Sequence, residues 1–204
     1  MAGASKLILS HGEMELVTNT DWILTKRIII DKVNVLFGAL AASMQQMILA
    51  EQKAFPPAVV LSTPKIAKGE NYRQLPYVLL DYPRCFEKEN VFAVRTMFWW
   101  GNFFSCTLHL SGEYKLQFKQ ALLNNITALK KNDLYICINK NEWEHHFEAG
   151  NYIALSELST QEINTIINQQ QFIKLAAKFS LHQCNEMDVL LEKCFSAIVQ
   201  LLKY

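Results

Sequence analysis

The 204-residue chain contains only seven glycines, and none of them falls in a GxGxxG or GxxxxGK[S/T] arrangement. Backbone cradles for phosphate need glycine where the main chain closes on the ligand, so common dinucleotide and P-loop chemistry is not expected, and no cofactor is assigned. The five cysteines (Cys85, Cys106, Cys137, Cys184 and Cys194) are odd in number and form no CxxC pair. That spacing argues against a zinc ribbon, a thioredoxin-like motif or a disulfide framework. HExxH and GxSxG are also missing. Charge of one sign is lacking too: 20 basic residues stand against 19 acidic, and no like-charged block occurs. The electrostatic footprint of a protein that binds nucleic acid or anionic lipid is therefore absent, and neither is an expected partner. The run Leu7-Ile8-Leu9 is too short for a signal-peptide core, which with the unpaired cysteines points to reduced thiols and a cytoplasmic location.

What is present is a globular composition, 50% hydrophobic and 19% charged. The length suits one domain over 1–204, with a helical N-terminal region at 1–57 and a sheet-and-helix core at 58–204. Ser10-His11-Gly12-Glu13 fits a capping box, and Thr18-Asn19-Thr20-Asp21 offers a second helix start. From Trp22 to Glu51, apolar residues recur at steps of three and four through Ile29, Val33, Leu36, Leu40, Met44 and Met47. Others widen the stripe until little polar face remains, and Phe55-Pro56-Pro57 ends the helix. Val33 to Ala50 carries no charge over 18 residues, but Asn34, Ser43, Gln45 and Gln46 lie within it and Lys26, Arg27, Asp31 and Lys32 just before it. This pattern reads as a helix covered by protein rather than a membrane span, and it motivates a homodimer formed through the apolar N-terminal helix.

Ala58 to Tyr72 reads as connection, with a turn at Gly69-Glu70-Asn71, and Leu75 to Tyr82 as a strand followed by a loop from Pro83 to Asn90. Val91 to Leu110 reads as a hairpin turning on Gly101-Asn102. A two-residue turn there pairs Trp100 with Phe103, Phe98 with Ser105, Thr96 with Thr107, and Val94 with His109. The opposite face then carries Ala93, Arg95, Met97 and Trp99 with Phe104, Cys106, Leu108 and Leu110. A helix is expected over 112–131 and short strands over 134–138 and 152–155, with a polar segment between them. A helix capped by Ser159 and Glu162 follows, then a strand over 172–181 marked by strict alternation, and a last helix beginning at Asn185. Strands and helices do not alternate regularly, so the expected class is α+β: a largely antiparallel sheet with a central Gly-Asn hairpin, helices packed on it, and a helical N-terminal region.

Three constellations could carry chemistry. Glu142-Trp143-Glu144-His145-His146-Phe147-Glu148 holds two imidazoles and three carboxylates. Adjacent histidines point to opposite sides of a strand and do not share a helix face, so a loop anchored by Trp143 and Phe147 is preferred over a metal site. Arg95, mid-strand on an apolar face, needs a partner, and Asp81 on the neighbouring strand is the nearest. The pair reads as structural, or as an anion anchor helped by Arg73 or Arg84. The other hairpin face, with Trp100, Thr96, Thr107 and His109, resembles the lining of a small-ligand pocket in which His109 could act as a general base. Cys106 falls on the opposite face from His109, which disfavours a Cys-His dyad.

Gly69-Glu70-Asn71-Tyr72-Arg73-Gln74-Leu75-Pro76-Tyr77, leading into aromatic-rich strands, resembles a layout in bacterial proteins of unknown function over about residues 60–115. The resemblance implies an α+β fold in a cytosolic bacterial protein and carries no activity or catalytic residue. The expectation is a ligand- or partner-binding protein without assigned catalysis. The alternative is a small-molecule enzyme built around His109.

Overall fold

The computed structural model describes residues 6–203 and shows an α+β fold. Two N-terminal helices, α1 (His11–Thr18) and α2 (Thr20–Ala50), are followed by a short 3-10 turn and α3 (Pro57–Val60). Then come β1 (Lys65–Tyr72), β2 (Leu75–Phe86), β3 (Val91–Trp99) and β4 (Phe103–Ser111), α4 (Gly112–Asn124) and α5 (Ile126–Lys131). The chain continues through β5 (Tyr135–Cys137), β6 (Tyr152–Ala154), α6 (Thr160–Gln169), β7 (Phe172–Ser180) and α7 (Met187–Leu201). The strands form one seven-stranded sheet in the order β1-β2-β3-β4-β7-β5-β6, with every neighbouring pair antiparallel.

Local chemistry explains most of the element boundaries. Ser10 and Glu13 form the reciprocal cap of α1, and Ser159 and Glu162 that of α6. Asn19 caps α2 by accepting the Trp22 amide at 2.9 Å. The helix expected over 112–131 is broken at Asn125, whose amide side chain donates to carbonyls near the C-terminus, Leu201 among them. The last helix starts at Met187, after a 3-10 segment over Leu181–Glu186 that takes in Asn185.

Three expectations are corrected. The loop read from Pro83 begins only after Phe86, because β2 continues past an irregularity between Asp81 and Arg84 and pairs Arg84, Cys85 and Phe86 with Ala93, Phe92 and Val91. The segment read as connection contains strand β1, and Arg73 and Gln74, both at positive φ, form the turn into β2. The Gly69–Asn71 stretch is an irregularity in β1 rather than that turn. The β3–β4 hairpin closes on three residues, Trp100, Gly101 and Asn102, with the Asn102 amide donating to the Trp99 carbonyl at 3.1 Å. Gly101 takes the left-handed position at φ 68°. Trp99 therefore pairs with Phe103, Thr96 with Cys106 and Arg95 with Thr107. This register is one residue away from the one a Gly-Asn turn would impose, so it changes which β4 residues share a face with each β3 residue.

One face of the sheet is apolar and covered by helices. Val78, Leu80, Val94, Phe98, Phe104, Cys106, Leu108, Ile173 and Leu175 meet Phe37, Met44 and Ile48 of α2, Phe118 and Leu122 of α4, and Leu191, Phe195 and Ile198 of α7 in one cluster. The other face carries Asp81, Arg95, Thr107, His109 and Lys174, flanked by the aromatic groups around Trp99 and Tyr152. Among the described residues, no helix covers these polar side chains. The β5–β6 connection, residues 138–151, crosses them as a strap.

Candidate functional site

The polar face is built by register. Asp81 lies opposite Arg95 on β2–β3, Arg95 opposite Thr107 on β3–β4, and His109 opposite Lys174 on β4–β7. Arg95 grips Asp81 with both arms of its fork, Nε to Oδ1 at 2.7 Å and Nη2 to Oδ2 at 2.8 Å. Its Nη1 donates to Nε2 of His145 at 3.0 Å. A guanidinium only donates, so His145 must accept at Nε2 and carry its proton on Nδ1. His109 Nε2 lies 2.8 Å from Glu142 Oε2, and Lys174, 1% exposed, donates to the carbonyls of Glu142 at 2.8 Å and Glu144 at 2.6 Å.

The strap is fixed along its length. Tyr72 accepts the backbone amides of His145 (2.7 Å) and His146 (3.1 Å) and donates to the Glu144 carboxylate. Arg73, on the strained β1–β2 turn, pairs with Glu148 at 2.7 Å. Phe147 stacks on Tyr152 with centroids 4.7 Å apart and meets Phe103 and Tyr135 edge-on. Phe147 thus anchors the strap, while Trp143, 48% exposed, touches Phe86 and His109 at its rim.

Burial sets the electrostatics. It lowers His109 to about 3, with Lys174 and Arg95 adding to the effect, and holds His145 well below the ordinary imidazole value. Both rings are therefore neutral at pH 7, and His109 donates its Nε2 proton to Glu142. Burial likewise lowers Lys174 to about 8 and raises the Glu142 carboxyl. A neutral imidazole beside a carboxylate, with an ammonium group close by, is a set of groups able to move a proton.

The structure brings Asp81, Arg95, Thr107 and His109 together on this face. It does not bring Thr96 or Trp100 with them. Thr96 faces the helix-covered core, 0% exposed and with its hydroxyl unpartnered, because the hairpin register differs by one residue. Trp100 sits in the turn and packs on Phe98. Arg73 and Arg84 do not reach Arg95: the first pairs with Glu148 and the second donates to the Thr63 carbonyl. Lys174, Tyr72 and the strap contacts of His145 and Glu142 were not singled out from sequence, although alternation placed Lys174 on the polar side of β7. Among the described residues, no group of three or more His, Cys, Asp or Glu side chains is arranged to hold a metal ion.

The strap occupies the space over these residues, and two grooves lie beside it and across the molecule. One of about 590 Å³ lies beside Ile138, Thr165 and Phe172, and one of about 530 Å³ is lined by Ile29, Leu36, Phe98 and Asp188.

A second surface has a different character. α1 has no buried residue, and in α2 none precedes Val33. Leu16, Trp22, Ile23, Leu24 and Ile28 on this arm are each about half exposed, and Leu7 and Ile8 before it more so. α2 is also long and apolar enough to cross a membrane by length and composition, but Phe37, Met44 and Ile48 in its second half are packed against the sheet.

No family profile, no curated protein and no solved structure matches this chain.

Proposed function

We propose that this is a binding protein that acts through its N-terminal arm, with another protein as the partner. The observation that carries this reading is the arm itself: large apolar side chains recur from Leu7 to Ile28, each about half exposed or more, and none of α1 is buried among the described residues. Contiguous exposed apolar surface marks interaction sites. An eight-residue helix such as α1, with no buried residue, is also too short to be stable alone and gains from being docked. The charges favour protein over lipid. Lys6, Lys26, Arg27 and Lys32 are balanced by Glu13, Glu15, Asp21 and Asp31, whereas helices that lie on anionic membranes carry a basic face.

The alternative is an enzyme using His109, Glu142 and Lys174. Their perturbed protonation supports it. The strap's own side chains and carbonyls already satisfy these groups, so substrate entry would require the strap to lift. This favours the binding reading, and the five free thiols support a reducing, cytoplasmic setting for it.

The test is a photo-crosslinking amino acid in place of Trp22, activated in the cells that make the protein. Binding through the arm predicts a covalent adduct with a protein. Adducts with lipid alone, or none, would contradict it.

A further inference from the structure

α2 buries one side against the sheet and leaves the other bare. Along the bare side, Ile28, Val35, Ala42 and Leu49 are exposed at intervals of seven residues. Between them lie Asp31, Gly38, Ala39 and Gln46, also exposed, and a side chain added at Gly38 would meet nothing within 4 Å. Seven residues are close to two helical turns, so these four side chains form one continuous apolar stripe along the bare side.

The seam is also self-complementary. Laid antiparallel on a copy of itself about a two-fold axis between Gly38 and Ala39, it sets Ile28 against Leu49 and Val35 against Ala42. Asp31 falls opposite Gln46, whose amide can donate to the carboxylate. The flanking charges Arg27 and Lys32 fall opposite Ala50 and Gln45, so no like charges face each other. The smallest residues, Gly38 and Ala39, sit at the crossing point, where two helices must come closest, about 8 Å between axes. Larger residues lie outward on both sides. An isologous contact requires such symmetry, because the same patch must serve both partners.

We infer that the partner is a second copy of this chain, joined through the outer face of α2 in an antiparallel helix pair. This rests on the partner-binding reading and names the partner. Stable interfaces bury about 1,200 Å² or more. Leu24, Ile28, Val35 and Leu49 lie on the outer side of α2, each near half exposure or above, and supply the apolar area toward that figure.

The test combines mass and geometry in the full-length chain. Light scattering should give twice the 23.5 kDa chain mass, and Ala39→Glu should return it to 23.5 kDa with helix content unchanged. In a Cys184→Ser background, which removes the exposed thiol, Ala39→Cys alone should oxidise to a covalent dimer. Val35→Cys alone should not, because its two copies lie about 10 Å apart along the axis, but Val35→Cys with Ala42→Cys should. A mass of 23.5 kDa at every concentration, or cross-linking by Val35→Cys alone, would overturn the antiparallel dimer. The two readings fail separately. If the probe at Trp22 captures a different protein while the chain scatters as a monomer, the dimer fails and partner binding stands. If the cysteine pattern is as stated but the probe captures nothing, the arm reading fails and the dimer stands.

Discussion

At the scale of the residue, the two sheet faces pose opposite problems for their polar side chains. Thr96 is enclosed on the apolar face with its hydroxyl unpartnered. Thr96→Val keeps the shape and removes the stranded group, so it should raise stability by about 1 kcal/mol in urea denaturation. A loss would mean that the hydroxyl is bonded in solution. Arg95 and Asp81 satisfy each other under the strap. Arg95→Met strands a buried carboxylate and should cost about 3 kcal/mol, and adding Asp81→Leu should recover most of it. A double variant as unstable as the single would contradict this. The Asp81–Arg95 pair was legible in the sequence because a mid-strand guanidinium demands a partner. The fate of Thr96 was not, because it depended on whether the hairpin turned on two residues or three, and Gly101 suits either.

At the scale of the element, the strap is a segment with almost no secondary structure, held by histidines that the fold keeps neutral. In the unfolded chain these histidines take up protons below about pH 6.5, so there the unfolded state binds more protons than the folded one. Stability is then fully present above that pH and is lost progressively below it, for His109 down to about pH 3. His145→Gln keeps an acceptor for Arg95 and cannot titrate. It should make the unfolding free energy fall less steeply as pH drops below about 6.5. An unchanged slope would show that the ring is charged in the fold. Lys174→Met should leave two strap carbonyls without their donor and speed amide exchange across 139–151, leaving exchange in α4 unaltered. Elements with a period or a cap were legible: both capping boxes, the long helix and the alternating β7. The strap has neither. β1 was missed because it is a polar edge strand, with Lys65, Lys68, Glu70 and Asn71, and it turns on Arg73-Gln74, residues that carry no turn signal.

At the scale of the whole molecule, the sheet is covered on one side by helices and on the other by a strap, while among the described residues the N-terminal arm and the back of α2 stay largely exposed. The near-continuous apolar character of α2 was legible and raised the idea of a dimer. Its division into a buried side and an exposed heptad seam needed the sheet to be in place. Native mass spectrometry of the protein purified from its own cells tests the central claim most directly, because it weighs partner and small ligand together. An assembly of two chains, twice 23.5 kDa, with no added small mass is expected. A single chain carrying an adduct of a few hundred daltons would contradict it and would move the function to the site beneath the strap.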